Sequence, residues 1–148
     1  MTSIRPIDAH DSERWRELFS DYGVFYETAF TSDILDGVWA WLLDPTHPVN
    51  AIVATNDDGV VIGFAMYRAQ PDTFTAGPAL YLDDLFVDPS ARGTGVASQM
   101  LGRLKEISRE LGATQVRWIT AADNAAAQHA YDRVARKTSW VTYEMDVV

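Results

Sequence analysis

A mixed α/β (α+β) fold, with helices packed on a central sheet in one domain spanning 1–148, follows from three features of the sequence. Short apolar or alternating stretches bounded by turn residues read as buried or half-buried strands. Between them lie segments whose apolar residues recur three and four apart, as on one face of a helix. The Asp57-Asp58-Gly59 turn joins two apolar stretches as a hairpin, so antiparallel neighbours are expected. A chain of 148 residues, 47% hydrophobic and 22% charged, has enough material for one ordinary core.

In chain order, Ser3 to Ile7 reads as a first strand. Asp11 to about Phe25 reads as a helix, with Asp11 or Ser12 as cap and Trp15, Leu18, Phe19 and Tyr22 on one face. A second helix starts from Thr31 or Ser32 and is closed by Pro45 and Pro48. Its Trp39 and Trp41 stand two residues apart, about 200° around a helix, so they cannot share one core. Asn50 to Asn56 and Val60 to Ala69 form the hairpin around Gly59, and a polar loop leads into a strand from Pro78 to Val87. A helix follows with Val96, Met100, Leu104, Ile107 and Leu111 on one face, stopping at Gly112. The remainder reads as a strand from Thr114 to Thr120, a helix from Asn124 to about Val134, and a strand from Ser139 to Val147.

The glycine-rich loop between the strand ending at Val87 and the helix starting at Val96 carries most of the functional information. Such a loop turns backbone N–H groups toward one point, at the positive end of a helix dipole, and that point suits a phosphate. Gly93 and Gly95 would also suit any tight strand-to-helix connection. A Walker-type loop is excluded because it needs Gly-Lys-Ser/Thr and this loop holds no lysine. A dinucleotide loop is excluded because Ser98 stands at its third glycine and hairpin-linked strands precede it.

Composition narrows the function classes. A net charge of −9 disfavours nucleic acid as a partner, since phosphate backbones need a basic face. The same charge is compatible with a cationic substrate, and also with a simple role in solubility. The absence of cysteine excludes disulfides, thiol nucleophiles and cysteine metal sites, and no histidine spacing suggests a metal. With no apolar run of about 18 residues and no secretory pattern at the amino terminus, no membrane partner and a cytoplasmic location are expected.

Arg92-Gly93-Thr94-Gly95-Val96-Ala97 resembles the acyl-coenzyme A loop of the GNAT acetyltransferase superfamily, Gln/Arg-x-x-Gly-x-Gly/Ala. The likeness extends over nearly the whole chain. Tyr81 to Val87 resembles the fourth strand of these enzymes, and Trp118-Ile119-Thr120, Asp123-Asn124 and Ala130 to Val134 resemble the fifth strand and following helix. Within the superfamily the chain looks most like small-amine acetyltransferases of the diamine, polyamine and D-amino-acid groups. The family's glycine and aromatic after the last helix are represented only by Trp140, behind Arg136-Lys137-Thr138-Ser139, which puts the shape of that turn in doubt.

The resemblance implies a mostly antiparallel sheet with helices on both faces, and acetyl-CoA as co-substrate without a metal. It implies transfer of the acetyl group to a primary amine of a small molecule by direct attack in a ternary complex. A silent acyl-coenzyme A binding module and a protein lysine or N-terminal acetyltransferase are the alternatives. Coenzyme contacts would come from Arg92, Gly93, Thr94, Gly95, Val96 and Ala97, from the main chain of Leu85, Phe86 and Val87, and from Asn124, which also suits a helix cap. Tyr131 would be the general acid for the departing thiolate, and Asp83, which matches the family's glutamate, would relay the amine's proton through water. Asp84, on the opposite face of the strand, is expected to be a solvent-exposed or helix-facing carboxylate making a structural ion pair. Tyr26, Glu27 and Trp39 fall where the superfamily builds its acceptor pocket. A homodimer is expected from the superfamily's habit of pairing through late strands and from the apolar segment 139–148.

Overall fold

A computed structural model describes residues 1–147. Its single sheet has five strands in sequence order: β1 (Ser3–Pro6), β2 (Val49–Thr55), β3 (Val61–Asp72), β4 (Gly77–Val87) and β5 (Val116–Arg117). The first four pair antiparallel, and β5 joins β4 in parallel. The helices are α1 (Ser12–Phe25), α2 (Ser32–Leu43), α3 (Val96–Leu111) and α4 (Ala125–Tyr131). No helix among the described residues is long and apolar enough to cross a membrane.

The sheet is covered on both faces, as expected. On one face, α1 buries Trp15, Leu18 and Phe19 against Phe64 of β3 and Phe86 of β4, with α2 alongside. The rings interlock: Phe19 stands edge-on to Phe64 at 5.9 Å between centroids, and Tyr22 is edge-on to Phe86 at the same separation. On the other face, α3 lays Val96, Met100, Leu101 and Leu104 on Ile52, Ala65 and Leu80. Each fully buried side chain of this size contributes about 1.5–3 kcal/mol, so these two apolar faces hold the sheet between its helices.

The helix ends follow from local chemistry. Thr31 caps α2 by accepting from the Ile34 N–H at 3.3 Å. Asp11 precedes α1 without capping it. Its carboxylate is buried and instead receives both arms of Arg5 at 2.8 Å, which holds its pKa below the usual carboxylate range. The tryptophan pair separates as the helical period requires. Trp39 packs tilted against Trp15 at 5.3 Å, and half-exposed Trp41 stacks on His47 at 4.8 Å.

Three boundaries depart from expectation. The β3–β4 hairpin is longer, leaving only residues 73–76 as its loop. The strand expected over 114–120 pairs only at Val116 and Arg117, opposite Leu80 and Tyr81 of β4. The pairing stops next to an irregularity in β4: Asp84 opposes Met66 while Leu82 opposes Tyr67, so Asp83 is an extra residue, a bulge of the kind that bends and twists its strand. The strand expected over Ser139–Val147 does not form. Trp140, Val141, Tyr143, Met145 and Val147 are 74–96% exposed, and no backbone hydrogen bond among the described residues ties 136–147 to the sheet. A strand is defined by its neighbour, and among the described residues this segment has none.

Candidate active site

The parting of β4 and β5 creates a notch. From Leu82 to Val87 the outer edge of β4 has no strand beside it among the described residues, so part of the main chain of Leu85, Phe86 and Val87 is available for other hydrogen bonds. One end of the notch is closed by the loop that begins at Asp88. Beyond β5, Trp118 and Tyr131 of α4 pack together and against the α3-side core.

The loop has the construction of an anion cradle. Gly93 and Gly95 adopt φ of +79° and +85°, a left-handed backbone that glycine adopts without strain. A Cβ at either would project into open space, so the loop presents bare backbone outward. The N–H groups from Gly93 to Ser98 find no acceptor among the described residues, and the first bond of α3 runs from the Gln99 N–H to Gly95 O at 3.0 Å. Six donors therefore converge near the N-terminus of a 16-residue helix. Arg92 is braced rather than loose: its Nε donates to Val87 O at 3.0 Å, and its guanidinium lies 5.2 Å from the centre of the Phe86 ring. Thr94 Oγ1 donates to Ala91 O at 2.6 Å, and the Asp88 carboxylate pairs with Arg14 and caps the turn at Ser90. These residues fit a pyrophosphate, which offers several acceptors and wants several fixed donors.

Next to the notch, on the α1 side, lies a titratable cluster. Asp84 is largely buried, and desolvation pushes its carboxyl up to about 6. The Tyr22 hydroxyl beside it opposes that rise, while the neighbouring Asp83 adds to it. Tyr22 in turn senses Asp84, Tyr26 and Tyr131, and burial drives its hydroxyl far above the ordinary tyrosine value. Tyr131 is half-buried, edge-on to Trp118 at 5.3 Å, and its hydroxyl is raised by burial and by Tyr26. One carboxyl and three phenols thus gather beside the notch.

Asp83 stands apart from this cluster. Its carboxylate receives the Arg68 Nε at 3.1 and 3.2 Å, and Arg68 also lies over the Tyr81 ring at 5.0 Å. Burial still raises Asp83 above the ordinary carboxylate range, with Arg68 pulling the other way. The ion pair expected of Asp84 is therefore made by Asp83. Asp83 makes the ion pair, while Asp84 faces α1 without a cationic partner among the described residues.

A cleft of about 300 Å³ adjoins the cluster, lined by Phe25, Tyr26, Ala121, Asp123 and Asn124. Of the residues expected at an acceptor pocket, Tyr26 lines it. Glu27 follows Tyr26 directly, with φ of +56°, where the end of α1 turns through hydrogen bonds from Glu27 to Val24 and from Thr28 to Gly23. Trp39 does not line the cleft: it is packed into the α1–α2 core. Asn124 lines the cleft and caps α4, its Oδ1 accepting from the Ala127 N–H at 3.2 Å. Tyr22 and Asp84 are the members that sequence reasoning did not place here. Tyr22 was legible only as one residue of a helix's apolar face, and the facing of Asp84 depends on a bulge. No group of residues suited to a metal ion occurs among the described residues.

The acetyltransferase (GNAT) family model matches residues 12–135. A D-amino-acid N-acetyltransferase of Saccharomyces cerevisiae is 30% identical over 142 residues, covering 95% of this chain and 88% of its own. An aminoglycoside N(6′)-acetyltransferase type 1 of Klebsiella aerogenes is 26% identical over 134 residues, covering 86% and 84%. Among solved structures, an AAC(6′)-Iy complex with the bisubstrate analogue CoA-S-monomethyl-acetylneamine superposes with a TM-score of 0.86, covering 100% of this chain and 99% of its own. Its sequence is 22% identical, so that likeness concerns the fold.

Proposed function

Because the chain belongs to the GNAT acetyltransferase family, we propose that it transfers an acetyl group from acetyl-CoA directly to a primary amine of a small molecule. The observation that carries this reading is the junction of two features: unpaired N–H donors from Gly93 to Ser98 at one end of an open strand edge, and the Asp84–Tyr22–Tyr26–Tyr131 group beside it. The activities named for the relatives, on D-amino acids and aminoglycosides, support a small amine as acceptor. So does the net charge of −9, which draws cations.

Acetyl-CoA supplies an activated thioester when bound. Gly93 to Ser98 would hold its pyrophosphate through backbone N–H groups, and the open edge at Leu85 to Val87 would align the pantetheine arm and donate to the carbonyl as that oxygen gains charge. Tyr26 and Asn124, with Asp123, would orient the acceptor in the cleft. An alkylamine is mostly protonated at neutral pH, so a proton must leave its nitrogen. Asp84 is assigned that role in place of Asp83. With a pKa of about 6 it is ionised at pH 7 to 8 yet more basic than an ordinary carboxylate, whereas Asp83 is held by Arg68. Tyr131 Oη would return a proton to the departing sulfur, and its raised pKa keeps that proton in place until it is needed.

Initial rates with acetyl-CoA and amine both varied test direct transfer. Intersecting double-reciprocal lines are expected. Parallel lines would mean a covalent acyl-enzyme and would refute the reading.

A further inference from the structure

On the sheet face that carries Asp84 one guanidinium is fixed in place yet short of acceptors, and we infer that this group, Arg68, holds a carboxylate of the acceptor, so that the amine acetylated is that of an amino acid. The inference rests on the acetyl transfer proposed above and names the acceptor class for it.

The register places the two groups. Phe64 and Met66 belong to the core under α1, and Arg68 follows at the next position on that face of β3. Asp84 opposes Met66 and Tyr81 opposes Arg68, so Asp84 and Arg68 are diagonal neighbours on adjacent strands. That relation sets two side chains about 7–8 Å apart at their bases. The apolar cover ends between them: Met66 is buried, whereas the Arg68 side chain is 38% exposed. Gln70, which contacts Arg68, also lines an open cavity of about 690 Å³ along the β3–β4 hairpin, so packing does not close the Arg68 end of the face.

Three contacts hold the guanidinium. Its Nε donates to the two Asp83 oxygens at 3.2 and 3.1 Å, its Nη1 donates to Gln70 Oε1 at 3.4 Å, and its carbon lies 5.0 Å from the centre of the Tyr81 ring. Nη2 donates to no acceptor among the described residues. An ion pair built for stability alone would take two parallel hydrogen bonds, but Asp83 is met by Nε alone. Arginine has five N–H donors, so most of the outer fork is left for a ligand, already oriented and with little freedom to lose on binding.

Charge and length choose that ligand. Ionised Asp84 draws an ammonium, and a second cation beside Arg68 would be repelled, which counts against polyamines and other polycations. A carboxylate completes the fork instead. In an α-amino acid the amine and a carboxylate oxygen are about 3 Å apart, and a charged hydrogen bond of about 2.8 Å at each end brings the span to about 8–9 Å, close to the diagonal spacing. The amine would then lie at Asp84, beside the cleft at Tyr26 and Asn124, with the carboxylate turned toward β3. An amino-acid zwitterion has no net charge, so the −9 of the chain does not oppose its approach.

The test pairs amino acids with the amines that lack their carboxylate: alanine with ethylamine, phenylalanine with phenethylamine and lysine with cadaverine, each amino acid in both hands. Each compound is assayed as acceptor with acetyl-CoA, and its binding to the CoA-loaded protein is measured by calorimetry. The quantity read is the ratio within a pair, of kcat/KM and of affinity. The parent should favour the carboxylate-bearing member of at least one pair by about 10- to 100-fold, and Arg68→Gln should bring that ratio to about one. Arg68→Lys keeps a charge opposite Asp83 but has no fork, so it should retain only part of the preference, and it carries the test if Arg68→Gln does not fold. General damage to the fold lowers both members of a pair and leaves the ratio in place. A parent with no preference, or a preference that survives both substitutions in full, would overturn the inference. Preferential binding through Arg68 without acetyl transfer would uphold it and defeat the transfer reading, whereas equal transfer to both members of every pair would do the reverse.

Discussion

Asp84→Asn separates the electrostatic description of the site from a merely structural one. A carboxyl raised from 3.8 to about 6 is one whose ionised form the fold disfavours. Its stabilising contribution is complete below 3.8 and is lost as pH rises through about 6, so at pH 8 the folded protein carries the whole cost of a buried charge. The difference between those two values corresponds to about 3 kcal/mol, an upper bound. Asparagine keeps the shape and an acceptor for the Tyr22 hydroxyl but has no charge to bury. Thermal unfolding should therefore show the variant more stable than the parent at pH 8, by up to about 6–12 °C in Tm for a domain of this length, with the two converging only below the unfolded value of 3.8. Turnover should move the other way, falling by about 10²-fold or more, with the affinity for acetyl-CoA unchanged. A variant destabilised at pH 8, or displaced equally at both pH values, would refute the buried-charge reasoning.

Other substitutions probe neighbouring parts of the site. Tyr22→Phe removes the hydroxyl that lowers Asp84, so the acid limb of the kcat/KM profile should move upward from about 6, which a pH–rate series would register. Tyr131→Phe should lower kcat by roughly tenfold or more while calorimetry finds acetyl-CoA binding little altered, and an unchanged kcat would remove Tyr131 from the mechanism. Gly95→Ala forces a side chain into φ of +85° and should cost about 1 kcal/mol in denaturant unfolding. Because the new methyl also enters the cradle, KM for acetyl-CoA should rise well above that for the amine.

What could be read in the residues, and what could not, divides along a physical line. The cradle is local: two glycines, a preceding strand and an amphipathic helix are adjacent in the chain, so Arg92 to Ala97 carried its own geometry. The helix faces were legible for the same reason, since Trp15, Leu18 and Phe19 repeat at the helical period and are all buried. The assignment of Asp83 and Asp84 was not local. Alternation says that the two point to opposite faces, but which one meets Tyr22 and which meets Arg68 depends on β3 and on the bulge. Trp39 belongs to the core because Trp15, 24 positions earlier, lies under it, and no spacing within α2 reveals that. Segment 139–147 shows the converse, a strand pattern read from local alternation that finds no strand partner among the described residues.

The most direct measurement is thiol release from acetyl-CoA across a panel of polyamines, amino acids of both hands, aminoglycosides and lysine-containing peptides. The acetylated products would be identified by mass. Release dependent on one class of small amine, with the acetyl group found on its nitrogen, is the predicted result. Background release with every acceptor, which would leave a silent binding module, or release with peptides alone would contradict it.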